Sequence, residues 1–157
     1  MPSKTEEKPT WKKATMGDLP PLVILQVGEE MTAKLVQIDE NNQGTAQKPD
    51  VRTYYRFALL DELSSKDKDG KPIDFGAGEI VSLPGSGALN YTMRGTALLI
   101  QGNARGSEGF KPNEVTLEAM QEHLTGHEFK ISRKPDEKMP DGKYKNKPVK
   151  KFDVEYR

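Results

Sequence analysis

GEIVSLPGSGALNYTMRG, residues 78–95, predicts a short β-strand that leads directly into an α-helix. The apolar run in its first half stops at a Pro-Gly pair, which commonly ends a strand. Ser86 is a residue type that caps helix N-termini, and Leu89 and Met93 lie four residues apart, on one face of a helix. Glycine often follows the last turn of a helix, and Gly95 is in a position to do so here. We therefore expect a helix of roughly two turns, beginning after Ser86 and ending at Gly95.

Strand patterns lie on both sides of this helix. Before it, alternating apolar and polar residues predict strands at residues 31–38 and 51–62, and a polar turn or loop at residues 64–72. After it, the patterns predict strands at residues 96–102, 127–134 and 149–156, and a second short helix within residues 115–126. These are five or six short strands, with a short helix between the third and the fourth, and the order strand, strand, strand, helix, strand, strand is the layout of an OB-fold. We expect a mainly β protein, an OB-fold-like small Greek-key barrel with one or two short helices and long polar loops.

The composition narrows the class of protein. The chain of 157 residues suffices for one domain, which we place at residues 21–157, after a polar segment at residues 1–20 that we expect to be flexible. The absence of cysteine excludes disulfides, thiolate metal sites and a cysteine nucleophile. No stretch approaches the roughly 18 apolar residues of a membrane span, and no signal peptide is visible. We expect a cytoplasmic protein, in the host cytoplasm if it is viral, without membrane contact.

The strand VRTYYRFALL, residues 51–60, has two different faces. Alternation directs Tyr55 and Phe57 toward a core and places Arg52, Tyr54 and Arg56 on the opposite face. Cations that follow phosphates, and rings on which bases stack, are what binding of a single-stranded nucleic acid requires. The alternative for Tyr54 is a half-buried ring that shields a neighbouring residue. The basic side chains that would extend this path are Lys34, Lys130 and Arg94.

A second basic patch lies further along the chain. Residues 132–157 contain nine basic and five acidic side chains, a charge of +4, whereas the whole chain is neutral with 24 of each. DGKYKNKPVKK, residues 141–151, mixes an aromatic ring with cations, and its binding candidates are Lys143, Tyr144, Lys145 and Lys147. Trp11, next to two lysines, is either a further contact with nucleic acid or an anchor on the barrel. The alternative for the patch is a solvated lysine-rich surface.

Patterns for catalysis and metal binding are weak. His123 and His127 are four residues apart, but Gly126 argues against the continuous helix that a metal-binding pair would need. The GSG sequence at residues 85–87 lacks the Lys-Ser/Thr that follows in a phosphate-binding loop. We therefore expect no enzymatic activity, no metal site and no cofactor.

Four segments resemble phage-type single-stranded DNA-binding proteins with an OB-fold. They are VGEEMTAKLVQID, GEIVSLPGSGALNYTMRG, TALLIQG and HEFKIS, all within residues 27–132. The resemblance implies binding of exposed single-stranded DNA during replication, recombination or repair, with replication or recombination proteins as further partners. Two alternatives stay open: a structural or protein-interaction module, such as a virion component, and a barrel that binds single-stranded RNA.

Overall fold

The computed structural model describes residues 19–138 and 148–157. Nearly all of the predicted flexible segment 1–20 therefore lies outside the described residues. The elements are β1 (Glu30–Asn42), β2 (Val51–Leu59), β3 (Leu63–Lys66), β4 (Pro72–Phe75), β5 (Ile80–Pro84), α1 (Gly87–Ile100), a 3₁₀ turn (Pro112–Glu114), α2 (Leu117–Leu124), β6 (Glu128–Lys138) and β7 (Pro148–Tyr156). The protein is mainly β, as predicted. Within the described ranges, no helix is both long enough and apolar enough to cross a membrane.

Five strands form one antiparallel sheet in the order β5-β2-β1-β6-β7, and β3 and β4 form a separate hairpin. If that hairpin is left aside, three strands precede the helices and two follow them, which is the predicted layout. The sheet stays open in the described part of the chain, because β5 and β7 do not pair. The backbone of Ser82, on the free edge of β5, bonds instead to Pro21 and Val23. A closed barrel is therefore not found.

The core lies between the two helices and one face of this sheet, which we call the inner face. Tyr55 and Phe57 on β2 are fully buried there, and the Phe57 ring meets the Phe129 ring of β6 edge-to-face at 6.1 Å between centroids. The predicted inward orientation of Tyr55 and Phe57 is confirmed, and Phe129 and Ile131 of β6 are buried in the same core. Each such side chain contributes roughly 1.5 to 3 kcal/mol by leaving water.

Helix α1 begins as predicted but does not end as predicted. The Ser86 hydroxyl accepts a hydrogen bond from the Leu89 N–H at 3.2 Å and caps the helix. The helix then continues through Gly95 to Ile100, so the predicted strand at residues 96–102 is wrong. A Cβ atom on Gly95 would lie 3.3 Å from the Phe110 ring, which shows that this glycine serves close packing. The left-handed Gly102, at φ 100°, follows the actual end of the helix.

Two smaller differences concern strands and turns. The predicted polar loop at residues 64–72 contains much of the β3–β4 hairpin, whose turn ends at the left-handed Gly70. The predicted strand 51–62 stops at Leu59. The second short helix is confirmed as α2, and Gly126, at φ 90°, follows it.

A β-bulge at Val36 reverses the alternation of side chains along β1. Leu35 lies opposite Phe57 on the inner face, but Gln37, two residues later, lies opposite Arg56. The extra residue sends Ile38 inward and Asp39 outward, opposite Tyr54. The bulge therefore brings an acidic side chain to the face that carries the predicted binding residues of β2.

Candidate nucleic-acid interface

The side of the five-stranded sheet that is turned away from the helices is called the outer face here. By register, it carries alternate residues of all five strands, including Lys34 on β1, Arg52, Tyr54 and Arg56 on β2, Ser82 on β5, Lys130 and Lys134 on β6, and Lys151 on β7. Five of the sequence-predicted binding residues, Lys34, Arg52, Tyr54, Arg56 and Lys130, thus share one face. Their surroundings on that face differ strongly.

Tyr54 is not free to stack on a base, because its side chain is buried, with 5% of its surface exposed. It lies opposite Asp39 on β1 and Pro84 on β5, and its hydroxyl accepts a hydrogen bond from Gln43 Nε2 at 2.6 Å. The structure is closer to the alternative interpretation, a ring that shields a neighbouring residue, although the ring is buried and not half-buried. The prediction of an exposed Tyr54 platform is wrong.

Arg56 is committed to an internal ion pair. Its Nε and one terminal nitrogen both contact Asp39 Oδ2 at 3.2 Å, and Gln37 Nε2 donates to the other carboxylate oxygen at 2.6 Å. Asp39 is only 7% exposed, so Arg56 neutralises a nearly buried charge. A phosphate would have to displace Asp39 from this arginine, which makes Arg56 a structural residue.

Arg52, on the same strand, keeps an accessible charge. Its guanidinium pairs with Asp50 at 3.1 Å, and the side chains of both residues are more than half exposed. The hydrogen bond from Arg52 to Asp50 raises the pKa of the guanidinium above its ordinary value. Because an exposed ion pair is weak, a phosphate can take the place of Asp50.

Arg94 lies on the other side of the sheet from these residues. It is on α1, one turn after Asn90, and Asn90 Oδ1 accepts a hydrogen bond from the Tyr55 hydroxyl at 2.7 Å. Burial raises the pKa of Tyr55, and the charge of Arg94 acts in the opposite direction. Arg94 Nε is buried and has no hydrogen-bond partner among the described residues. Arg94 therefore belongs to the packing of α1 on the sheet and does not extend the path.

Lys34 and Lys130 are exposed neighbours on the outer face. Lys34 lies opposite Glu128, two residues before Lys130 on β6, so the two lysines are diagonal neighbours across the β1/β6 pair, at roughly 7 to 8 Å. Neither lysine forms an ion pair with a residue in the described ranges. These two predicted residues are brought together as cations available to a ligand.

The positive and negative side chains of residues 128–157 are unevenly distributed along the chain. Residues 128–133 and 152–157 hold three basic and three acidic side chains, whereas residues 134–151 hold seven lysines and three acidic residues. The whole excess of +4 thus lies within residues 134–151, a stretch of the sequence that we call the arm. Lys143, Tyr144, Lys145 and Lys147 belong to the arm but lie outside the described residues, as does Trp11.

The described base of the arm adds cations that the sequence analysis did not single out. Lys134 lies directly opposite Lys151 in the β6/β7 register, and its ammonium is 3.4 Å from Asp153 Oδ2. A surface cavity of about 450 Å³ opens between these side chains and the half-buried Phe152 ring. Only the strand register reveals the opposed lysines, since they are 17 residues apart in the chain.

Comparison with models of protein families, with curated proteins and with solved structures found no match. The geometry of the chain itself therefore carries the functional argument. No group of three or more histidine or acidic side chains within residues 19–138 and 148–157 is placed to hold a metal ion. His123 Nε2 is instead 2.7 Å from Nε2 of Gln101, the residue that follows α1.

Proposed function

We propose that this protein binds single-stranded DNA with little sequence preference and protects it during replication, recombination or repair. The observation that carries the proposal is the confinement of the positive charge excess to the arm, with Lys134 facing Lys151 at its base. Lys130 and Lys34 continue this cationic surface onto the outer face of the sheet. Bound single strands run from the arm along these side chains.

Electrostatics favours a polyanion at the base of the arm. Lys134 and Lys151 lie directly opposite each other on β6 and β7, which concentrates two positive charges at one place. Asp153 compensates Lys134 in part, but both side chains are exposed to solvent, with 48% and 69% of their surfaces accessible. A phosphate group placed between Lys134 and Lys151 contacts both cations and releases their counterions, which drives binding.

Tyr144 takes over the role of stacking platform in this proposal. The ring at position 54 is buried, whereas Tyr144 lies among the lysines of the arm in the sequence. A tyrosine flanked by cations binds unpaired bases of any type, because every base offers a face to stack on. In a duplex the base faces are covered, so this combination favours a single strand.

The experiment measures binding of a fluorescent oligo-dT by anisotropy at several salt concentrations. Wild-type protein should bind, and log K should fall with log salt by about 0.7 for each neutralised phosphate. The variant Lys134→Ala/Lys151→Ala should bind more weakly and lower the slope by about 1.4. The control Lys66→Ala/Lys71→Ala removes two charges from the β3–β4 hairpin, which is not paired with the five-stranded sheet, and should leave the slope unchanged.

Three results would refute the proposal: no binding of oligo-dT, a preference for duplex of the same sequence, or equal effects of the two double variants. Tighter binding of the matching RNA oligonucleotide would favour the RNA alternative. The protein-interaction alternative relied on an exposed surface of Arg52, Tyr54 and Arg56. Because Tyr54 is buried and Arg56 is paired to Asp39, that surface is reduced to Arg52.

A further inference from the structure

The outer face contains a pocket of about 200 Å³ where β1, β6 and β7 lie side by side. Its floor is one row of the sheet, in which Thr32, Lys130 and Glu155 are directly opposite each other. Its rim is the ion pair between Arg157 Nε and Glu128 Oε1, at 2.6 Å. We propose that this outer pocket is a subsite for a guanine base of the bound strand, an inference that rests on the proposed function.

The side chains of the floor are available to a ligand. Within the described part of the chain, neither Lys130 nor Glu155 forms an ion pair, although they are cross-strand neighbours, and no hydrogen bond engages the Thr32 hydroxyl. The Glu128 carboxylate, in contrast, is occupied by Arg157. The pocket thus presents a cation and a free carboxylate next to each other, with a hydroxyl on the far side of the cation.

This order of groups matches the Watson–Crick edge of guanine. That edge carries the carbonyl O6, which accepts a hydrogen bond, followed by N1–H and the N2 amino group, which donate. Lys130 is a donor for O6, and the two oxygens of Glu155 accept from N1–H and N2–H together. Thymine offers one N–H between two carbonyls, so a carboxylate at the same place meets one donor and two repelling oxygens.

The position of the pocket connects it to the phosphate path. Lys130 and Lys134 are four residues apart on β6, or about 13 Å along the strand. Lys34, the diagonal neighbour of Lys130, lies on the opposite side. A strand whose phosphates follow Lys134 and Lys34 therefore passes over the pocket, and one of its bases can enter it. The preference applies to a single position, so the whole binding site stays tolerant of sequence.

The test compares two labelled oligonucleotides of equal length, one made of thymidine alone and one with a single central guanosine. Wild-type protein should bind the guanosine oligonucleotide about tenfold more tightly, as one bidentate contact to a base edge would give. The variant Glu155→Gln should reduce this ratio to nearly one, because an amide offers one acceptor where the carboxylate offers two. A melting curve of the variant checks that the fold is retained.

Glu30→Gln is the matched control. Glu30 is also an outer-face glutamate, on β1 opposite Ser132, and it is not part of the pocket. Both substitutions remove one negative charge, so both should tighten binding of the two oligonucleotides, but only Glu155→Gln should change their ratio. If the wild-type protein binds neither oligonucleotide, the proposed function itself is refuted. Binding with a wild-type ratio near one, or a ratio that survives Glu155→Gln, would refute the guanine subsite alone.

Discussion

Replacing Arg56 with methionine should destabilise the protein, although the sequence suggests a residue for DNA binding. Asp39 is 7% exposed and receives two contacts from Arg56, so removal of the guanidinium leaves a nearly buried carboxylate without its counter-ion. Breaking a buried ion pair from one side costs about 3 to 5 kcal/mol. Gln37 stays bonded to Asp39, and Arg56 is itself 26% exposed. Both facts reduce the loss, so we expect about 2 to 4 kcal/mol.

Arg52→Met provides the control, since it removes the same group from the same face of the same strand. Its ion pair with Asp50 is exposed on both sides, and such pairs often contribute nothing measurable. The assay is urea unfolding followed by circular dichroism. For a slope of about 2 kcal/mol per M, Arg56→Met should lower the midpoint by about 1 to 2 M. The midpoint of Arg52→Met should stay within error of the wild type.

Equal midpoints for the two variants would show that the Asp39–Arg56 pair does not stabilise the fold. A second check uses Asp39→Asn combined with Arg56→Met. Because this double variant leaves no uncompensated charge, it should be more stable than Arg56→Met alone. If it is less stable, the cost of Arg56→Met comes from lost packing of the arginine side chain.

Two further perturbations concern the packing of α1 against the sheet. Burial raises the pKa of Tyr55 above its ordinary value near 10, so the folded state should lose stability as the pH rises above about 10. Melting curves from pH 8 to 11 should show this loss in the wild type and in the control variant Tyr156→Phe. The loss should be smaller in Tyr55→Phe. Gly85→Ala should lower the melting temperature, because its Cβ would collide with the Asn90 side chain that Tyr55 holds, whereas Gly87→Ala, whose Cβ meets nothing within 4 Å, should not lower it.

Local signals predicted the start of α1 but not its end. The Pro-Gly turn and the Ser86 cap act within a few residues, so the sequence contains them in full. Gly95 is of the residue type that often ends a helix, but here it lies inside α1, where the absence of a side chain lets Phe110, 15 residues later, approach the helix. A contact of this kind depends on the folded chain, and the single sequence shows only the glycine.

The faces of β2 were predictable, whereas the state of the side chains on them was not. Alternation correctly separated Tyr55 from Tyr54, because the period of a strand is a property of the backbone. Whether Arg56 is free depends on Asp39, which reaches the outer face only through the bulge at Val36, whereas the Tyr54 hydroxyl is bonded to Gln43. A bulge adds one residue without a sequence signature here, so the pairing of Arg56 could not be foreseen.

The central position of β1 has a consequence for the synthesis of the chain. One edge of β1 pairs with β2, which follows directly, but the other edge pairs with β6, and Met31 meets Ile131 across 100 residues. At translation rates of about 5 to 20 residues per second, that second edge waits roughly 5 to 20 s for its partner. Its outward charges, such as Glu30 and Lys34, discourage pairing with other nascent chains in the meantime. Chains interrupted before residue 128 would keep β1 as an open edge and should be the species that aggregates.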